Sequence, residues 1–321
     1  MAKEPLYRLA DTAYTAIIRG CLLSPDAQTD IPFGDLTLSF DTQEARRDFY
    51  GLSDRKRVAT VFPDYSEFMD AESPETMTLK EILLYDRLWG EGHKKTGYFG
   101  IPWETLVGEF GCEVARRSFF EAKPWEIATS FARTLRQEAV RRRNISPSHP
   151  LRLLDVCTGT GVTALALSAP TDEYTPAHVA SLESNGGICK FTCHSLDSMG
   201  VARVTPYWVN ALDFLPSAAR AEMHYDGAFL DPPWGGVYAR TEMTVDDLCL
   251  TDTNGYIVSG PDLVDLALQV SPVVAIHVPS KISPESMYAS AKRIGAQVTI
   301  TEHHAHSGGR KLKEILALFH R

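Results

Sequence analysis

"LLDVCTGTGVTALAL", residues 153–167, decides how this chain folds. A short apolar run ending at Val156 reads as a buried strand. Gly159 and Gly161 interrupt it, and an alanine- and leucine-rich stretch then reads as a helix. Strand, glycine turn and helix in that order open a βα unit. The glycines let backbone approach a ligand closely, and the helix start offers unpaired N–H groups. One acid, Asp155, precedes the first glycine by four residues.

Outward from that turn the pattern repeats. Apolar runs "LRLLDVC" (151–157), "HVASLES" (178–184), "VTPYWVN" (204–210), "YDGAFLDP" (225–232) and "VVAIHVP" (273–279) alternate with helical stretches. Strands spaced by helices predict βαβ units and a mostly parallel sheet. The last two runs, "AQVTITEHH" (296–304) and "EILALFH" (314–320), are joined through "AHSGGRK" (305–311), a connection short enough for an antiparallel hairpin. Upstream, "PWEIATSFARTLRQEAVRRR" (124–143) predicts an amphipathic helix whose basic end suits the helix dipole, followed by the linker "NISPSHP". Residues 1 to about 115 read differently, as mixed and largely helical. There "SPETMTLKEILLYDRLW" (73–89) carries an N-cap serine, a first-turn proline and an apolar stripe.

Composition narrows the partners. With 44% hydrophobic and 23% charged residues in 321, the chain has the make-up of a soluble globular protein. No apolar run approaches the roughly 18 residues that cross a bilayer. The first twenty residues carry acids and no continuous apolar segment, unlike a secretory signal. Six cysteines without framework spacing point to reduced thiols and an intracellular setting. A net charge of −9 argues against extended duplex binding, and leaves a small site reading a few nucleotides or a cationic ligand.

Glu183 ends the second strand, 22 residues after Gly161, where an acid accepts hydrogen bonds from ribose hydroxyls. Gly159, Gly161 and Ala164 also satisfy the loose dinucleotide fingerprint. S-adenosylmethionine is favoured over it: Asp155 can meet that cofactor's ammonium group, and the cofactor is cationic at sulfur with no pyrophosphate. Asp213, in "NALDFL" after the third strand, is placed to accept from the adenine amino group.

The fourth strand runs into "FLDPPWGG" (229–236). Two prolines forbid regular helix and remove two backbone donors. A nucleobase amino group is a poor nucleophile because its lone pair is delocalised into the ring. The Asp231 carboxylate and the Pro232 carbonyl can each accept one N–H of such an amine and aim its lone pair at a methyl donor. Trp234 offers a ring face for the base, worth about 1–3 kcal/mol, with a cation–π contribution if the base is charged.

With "PPWGG" after this glycine turn, the chain resembles the trimethylguanosine synthase family, which methylates N2 of a 7-methylguanosine cap on RNA. "RSFFEAKPWEIATSFA" is similar to that family's aromatic segment before the catalytic core. "VVAIHVPSKIS" is similar to its strand leading into a proline and a basic residue, and "RKLKEILALFH" to its closing segment. The resemblance covers roughly residues 115 to 321. It implies a class I, Rossmann-like methyltransferase domain over 116–321, with residues 1–115 an extension contributing to substrate binding. It implies S-adenosylmethionine as cofactor and capped RNA as partner; the methyl transfer requires no metal, and the expected location is the nucleus, with the cytoplasm as the alternative. It makes Phe119, Phe120 and Trp125 candidates to wall the base or cofactor. Lys281, with Lys94 and Lys95, becomes a candidate for the cap triphosphate. The family commonly has serine where Asp231 stands. An adenine-N6 or other amino-methyltransferase, or a non-catalytic cap-binding module, remains open on the same residues.

Three further clusters carry plain expectations. Cys189, Cys193 and His194 in "CKFTCH" read as helix residues rather than metal ligands. His303, His304 and His306 read as an exposed hairpin. Arg141, Arg142 and Arg143 suit a helix C-terminus, with a nuclear address or RNA contact as the other reading.

Overall fold

The structure, a computed structural model, describes residues 14–15, 31–33, 36–38, 76–77, 79, 82, 100–114, 123–233, 243–307 and 310–321. Its centre is a seven-stranded sheet formed by β1 (Arg152–Val156), β2 (His178–Glu183), β3 (Val204–Trp208), β4 (Gly227–Leu230), β5 (Val273–Val278), β6 (Gln297–Ser307) and β7 (Arg310–His320). Their spatial order is β6-β7-β5-β4-β1-β2-β3. The strands from β5 to β3 are mutually parallel, and β7 runs antiparallel to both β5 and β6. The mostly parallel sheet closed by a hairpin, as the sequence predicts, is what forms.

Alternation along the strands explains the layering. Leu153 and Leu154, or Phe229 and Ala228, point to opposite faces because successive side chains alternate across a pleated strand. Both faces are covered, so both sets are apolar. On one face Leu153, Phe229 and Ala275 pack with Phe131 and Leu135 of α1 (Trp125–Arg143), Ala164 and Leu167 of α2 (Val162–Ser168) and Leu196 of α3 (Gly186–Ser198). On the other, Leu154, Ala228 and Val274 pack with Leu215 of α4 (Ala211–Arg220), Leu263 of α5 (Gly260–Leu268) and Met287 of α6 (Pro284–Arg293). Truncating a fully buried ring such as Phe229 to alanine costs about 3–5 kcal/mol.

Local chemistry sets the helix ends. Asn185 caps α3 by accepting from the amides of Gly187 and Ile188, and Asn210 caps α4 through the amide of Leu212. α1 stops at Asn144, which adopts a left-handed conformation. The three arginines before it are engaged: Arg141 and Arg142 pair with Glu138, and Arg143 lies 3.2 Å from Asp226. The buried Arg136 guanidinium donates to the carbonyls of Ala169 and Thr175, tying α1 to the segment after α2.

The closing hairpin differs from its sequence reading. The strands continue through most of "AHSGGRK", with Ser307 opposite Arg310, because the ladder pairs without interruption up to a two-residue link. His303 is not exposed: it is 7% accessible, since α1 covers the inner face of β6. Its Nδ1 lies 2.7 Å from Ser130 Oγ and its Nε2 2.8 Å from Thr301 Oγ1, with Phe131 edge-on at 4.8 Å. His304 is exposed, as expected.

In the N-terminal part, Tyr14–Thr15, Ile31–Phe33 and Leu36–Leu38 form a small three-stranded sheet absent from the sequence reading. The predicted helix at 73–89 falls largely outside the described residues. Met77, Ile82, Trp103 and Leu106 bury into the same core as α1. Among the described residues no helix is long and apolar enough to cross a membrane.

Candidate active site

The C-terminal ends of β1, β2 and β4 adjoin, and the turns that leave them build one site. After β1 the chain turns through Cys157, Gly159 and Gly161, all at positive φ (64°, 52° and 80°). Only glycine takes such angles without steric cost. A Cβ on Gly161 would lie 2.8 Å from Thr192 Cγ2, whereas one on Gly159 would meet nothing within 4 Å. The turn is thus packed beneath Gly161 and open above Gly159. Thr192 Oγ1 donates to the Gly159 carbonyl at 2.6 Å, and the Thr158 amide donates to Leu182 O at 3.0 Å, which anchors the turn to β2 and α3. Burial pushes the Cys157 thiol well above its usual range, with the charge of Glu183 adding to the effect, so it is an inert thiol.

Glu183 closes the turn from the β2 side. Its Oε2 accepts from the Gly159 amide at 3.0 Å and its Oε1 from the Asn185 amide at 2.8 Å. A carboxylate fixed in this way still has acceptor capacity for sugar hydroxyls.

Asp155 lies fully buried beneath the turn. Its Oδ2 accepts from Thr158 Oγ1 at 2.6 Å, and its Oδ1 has no hydrogen-bond partner among the described residues. Burial pushes its carboxyl up to about 7. The Thr158 hydrogen bond and Lys123 pull it back, and the charges of Asp231 and Glu183 push it further up. A buried acceptor left unpaired is costly unless a ligand supplies a donor or a cation. S-adenosylmethionine carries an ammonium and a sulfonium, so the orphaned oxygen, the open turn and Glu183 fit it.

Beside this turn β4 delivers Asp231, whose amide donates to Val156 O at 3.1 Å and so seats the Asp-Pro-Pro turn against the end of β1. Asp231 is 23% accessible, Pro232 is buried and Pro233 exposed. Both oxygens of Asp231 are held. Oδ2 forms an ion pair with Lys123, whose side chain is 6% accessible, and Oδ1 lies 2.9 Å from His277 Nδ1. His277 Nε2 is in turn 3.0 Å from Glu314 Oε2. Burial alone would raise the Asp231 carboxyl, but the Lys123 ammonium and then His277 outweigh it and hold it well below the usual carboxylate range. Two acids in one pocket are therefore driven in opposite directions, a pattern that marks functional sites.

Sequence reasoning placed Asp155, Gly159, Gly161, Glu183, Asp231 and Pro232, and the structure brings these six together. Asp213 stands exposed in the first turn of α4, after the C-terminal end of β3, where Asn210 donates from Nδ2 to Thr251 O at 3.0 Å. Trp125 is half-buried at the start of α1 and packs on Gly100. Lys281 is exposed just beyond β5, whose C-terminal end faces the same side as those of β4 and β1. Trp234, Phe119, Phe120, Lys94 and Lys95 lie outside the described residues. Lys123, His277 and Glu314 escaped the sequence reading. His277 carried a signal: it is the one polar residue in the run "VVAIHV", at its C-terminal end.

A sequence profile described as RNA cap guanine-N2 methyltransferase matches residues 151–321. No curated protein matches the chain. Among solved structures, the SAM-dependent methyltransferase from Agrobacterium tumefaciens is 16% identical at a TM-score of 0.46. That match covers 62% of this chain and 63% of the other. The N-terminal domain of EvdMO1 with SAH bound is 12% identical at a TM-score of 0.38, covering 60% and 80%. The precorrin-6y C5,15-methyltransferase from Geobacter metallireducens is 11% identical at 0.36, covering 59% and 87%.

Proposed function

The chain belongs to the RNA cap guanine-N2 methyltransferase family, and on that premise we propose that it methylates the exocyclic N2 amine of a 7-methylguanosine RNA cap. It is an S-adenosylmethionine-dependent methyltransferase with a class I fold. When bound, the cofactor supplies an electrophilic methyl group whose departure leaves neutral sulfur. The chain's own residues do the rest. Asp155 and Glu183 seat the cofactor at the glycine turn. Asp231 and the Pro232 carbonyl accept the amine's two N–H groups, freeing its lone pair to form the N–C bond. The nitrogen becomes positive as that bond forms, and the adjacent carboxylate stabilises it until its surplus proton leaves to solvent. Trp234 stacks on the base, and the cationic 7-methylguanine ring is favoured over plain guanine by that indole.

The observation that carries this reading is an ionised Asp231 held at the end of β4 beside the glycine turn. Its test is mass spectrometry of a 7-methylguanosine cap dinucleotide after incubation with S-adenosylmethionine. A gain of one or two methyl groups, absent with the unmethylated cap, is expected. Methylation of adenosine instead would favour an adenine-N6 enzyme, and no binding of S-adenosylmethionine in calorimetry would favour a non-catalytic module. Nuclear action belongs to the same proposal and rests on the substrate.

A further inference from the structure

Asp231 is the second group in a line of four, Lys123, Asp231, His277 and Glu314, that runs from the segment before α1 across the ends of β4 and β5 to β7. Carboxylates only accept hydrogen bonds, and His277 presents a ring nitrogen to a carboxylate on each side, Asp231 at 2.9 Å and Glu314 at 3.0 Å. Both contacts are hydrogen bonds only if both nitrogens carry protons. The line then alternates in sign: Glu314 negative, His277 positive, Asp231 negative, Lys123 positive. His277 is buried and Glu314 is 26% accessible, so the line ends where water can reach it. Phe131 packs against the imidazole, with ring centres 5.4 Å apart and planes tilted by 52°.

We infer that Lys123, His277 and Glu314 are positioning residues, which hold Asp231 ionised and fix its carboxylate for the acceptor amine. The inference rests on the proposed role of Asp231. A carboxylate near this glycine turn does not stay ionised by default: Asp155, buried without a cation bonded to it, is pushed up to about 7. A protonated Asp231 would itself be a donor and could not hold an N–H with that oxygen. Each Asp231 oxygen has one described partner and capacity for another, so the clamp orients the acid without using up its acceptor sites. His277 is faced by Asp231 from the turn after β4, by Glu314 from β7 and by Lys123 through Asp231. His303 lies beyond Phe131 on β6.

The test combines nuclear magnetic resonance with kinetics on the full chain. In the wild type at neutral pH, the His277 ring is expected to show two protonated nitrogens and the Asp231 carboxyl to be ionised. In Glu314→Gln, which lies away from the acceptor, the ring loses its second carboxylate partner, and kcat on the 7-methylguanosine cap is expected to fall with KM unchanged within about twofold. His277→Gln is expected to lower kcat by up to about 100-fold, the cost of a misplacement of roughly 1 Å at the reacting group, with cofactor affinity by calorimetry unchanged within about twofold. A wild-type ring with a single proton at neutral pH would overturn the inference. So would a Glu314→Gln kcat equal to that of the wild type. Failure of the wild type to methylate the cap, with the doubly protonated ring observed, would count against the cap substrate instead.

Discussion

Lys123 and Asp231 are 108 residues apart in sequence and form an ion pair at the end of β4. The ammonium also sits over the Phe229 ring, 5.4 Å from its centre. One end of the pair comes from the segment entering α1, the other from the Asp-Pro-Pro turn, so the pair joins the region before the sheet to the reacting end of the sheet.

Removing one partner of a buried pair strands the other's charge, which costs about 3–5 kcal/mol, and less here because Asp231 is partly accessible. Lys123→Met is therefore expected to destabilise the fold by about 2–4 kcal/mol. The double variant Lys123→Met with Asp231→Asn should recover most of that loss. Urea unfolding of both variants measures it, and strict additivity would mean the two groups do not interact.

Asp155 should make stability fall as pH rises. Its folded carboxyl titrates at about 7, against about 4 for an unfolded aspartate, so the native state binds more protons between those values. The loss across that window is on the order of 4 kcal/mol. Asp155→Asn removes it and should raise the melting temperature at about pH 8 but hardly at pH 4. Asp231 has the opposite sign: its depressed titration stabilises above the ordinary carboxylate range, and that contribution is lost on acidification. Thermal melts of the cofactor-free protein across this range test both signs.

The same group should couple cofactor binding to protons. A cationic ligand prefers the ionised Asp155, so affinity for S-adenosylmethionine is expected to rise as pH increases through about 7, with proton release. Calorimetry in buffers of different ionisation enthalpy reads the released proton. A flat affinity would show that Asp155 does not meet the ligand's charge.

Gly161→Ala should weaken cofactor binding and stability together, because alanine is strained at φ 80° and its Cβ would press on Thr192. A destabilisation of about 1–3 kcal/mol is expected from the backbone strain. Normal stability with lost binding would instead place the ligand directly against Gly161.

Asp231→Ala should cut kcat severely and leave S-adenosylmethionine affinity close to wild type, whereas Trp234→Ala should weaken cap binding by about 1–3 kcal/mol. Isothermal titration with cap analogue and cofactor separates these. A large loss of cofactor binding in the first variant, or unchanged cap affinity in the second, would remove the assigned role.

Much of the fold was legible in the sequence. Short apolar runs separated by helical stretches carry their own period, and a glycine turn flanked by an acid is a local signal. Backbone sterics and side-chain alternation act within a few residues, so these features need no knowledge of distant partners. The six site residues that the structure unites all stand at strand ends or in adjoining turns, where a parallel sheet gathers them automatically. The burial of His303 was not legible, because it depends on α1 lying over β6, a contact across 173 residues.

The sequence by itself determined the strand order of events along the chain, the ligand-facing turn and the acid beside the paired prolines. Only the tertiary structure decided what charge those acids carry. Protonation depends on burial and on cations within a few ångströms; Lys123 and His277 reach Asp231, and Glu314 reaches it through His277, from three separate places in the chain, a proximity that no local pattern encodes.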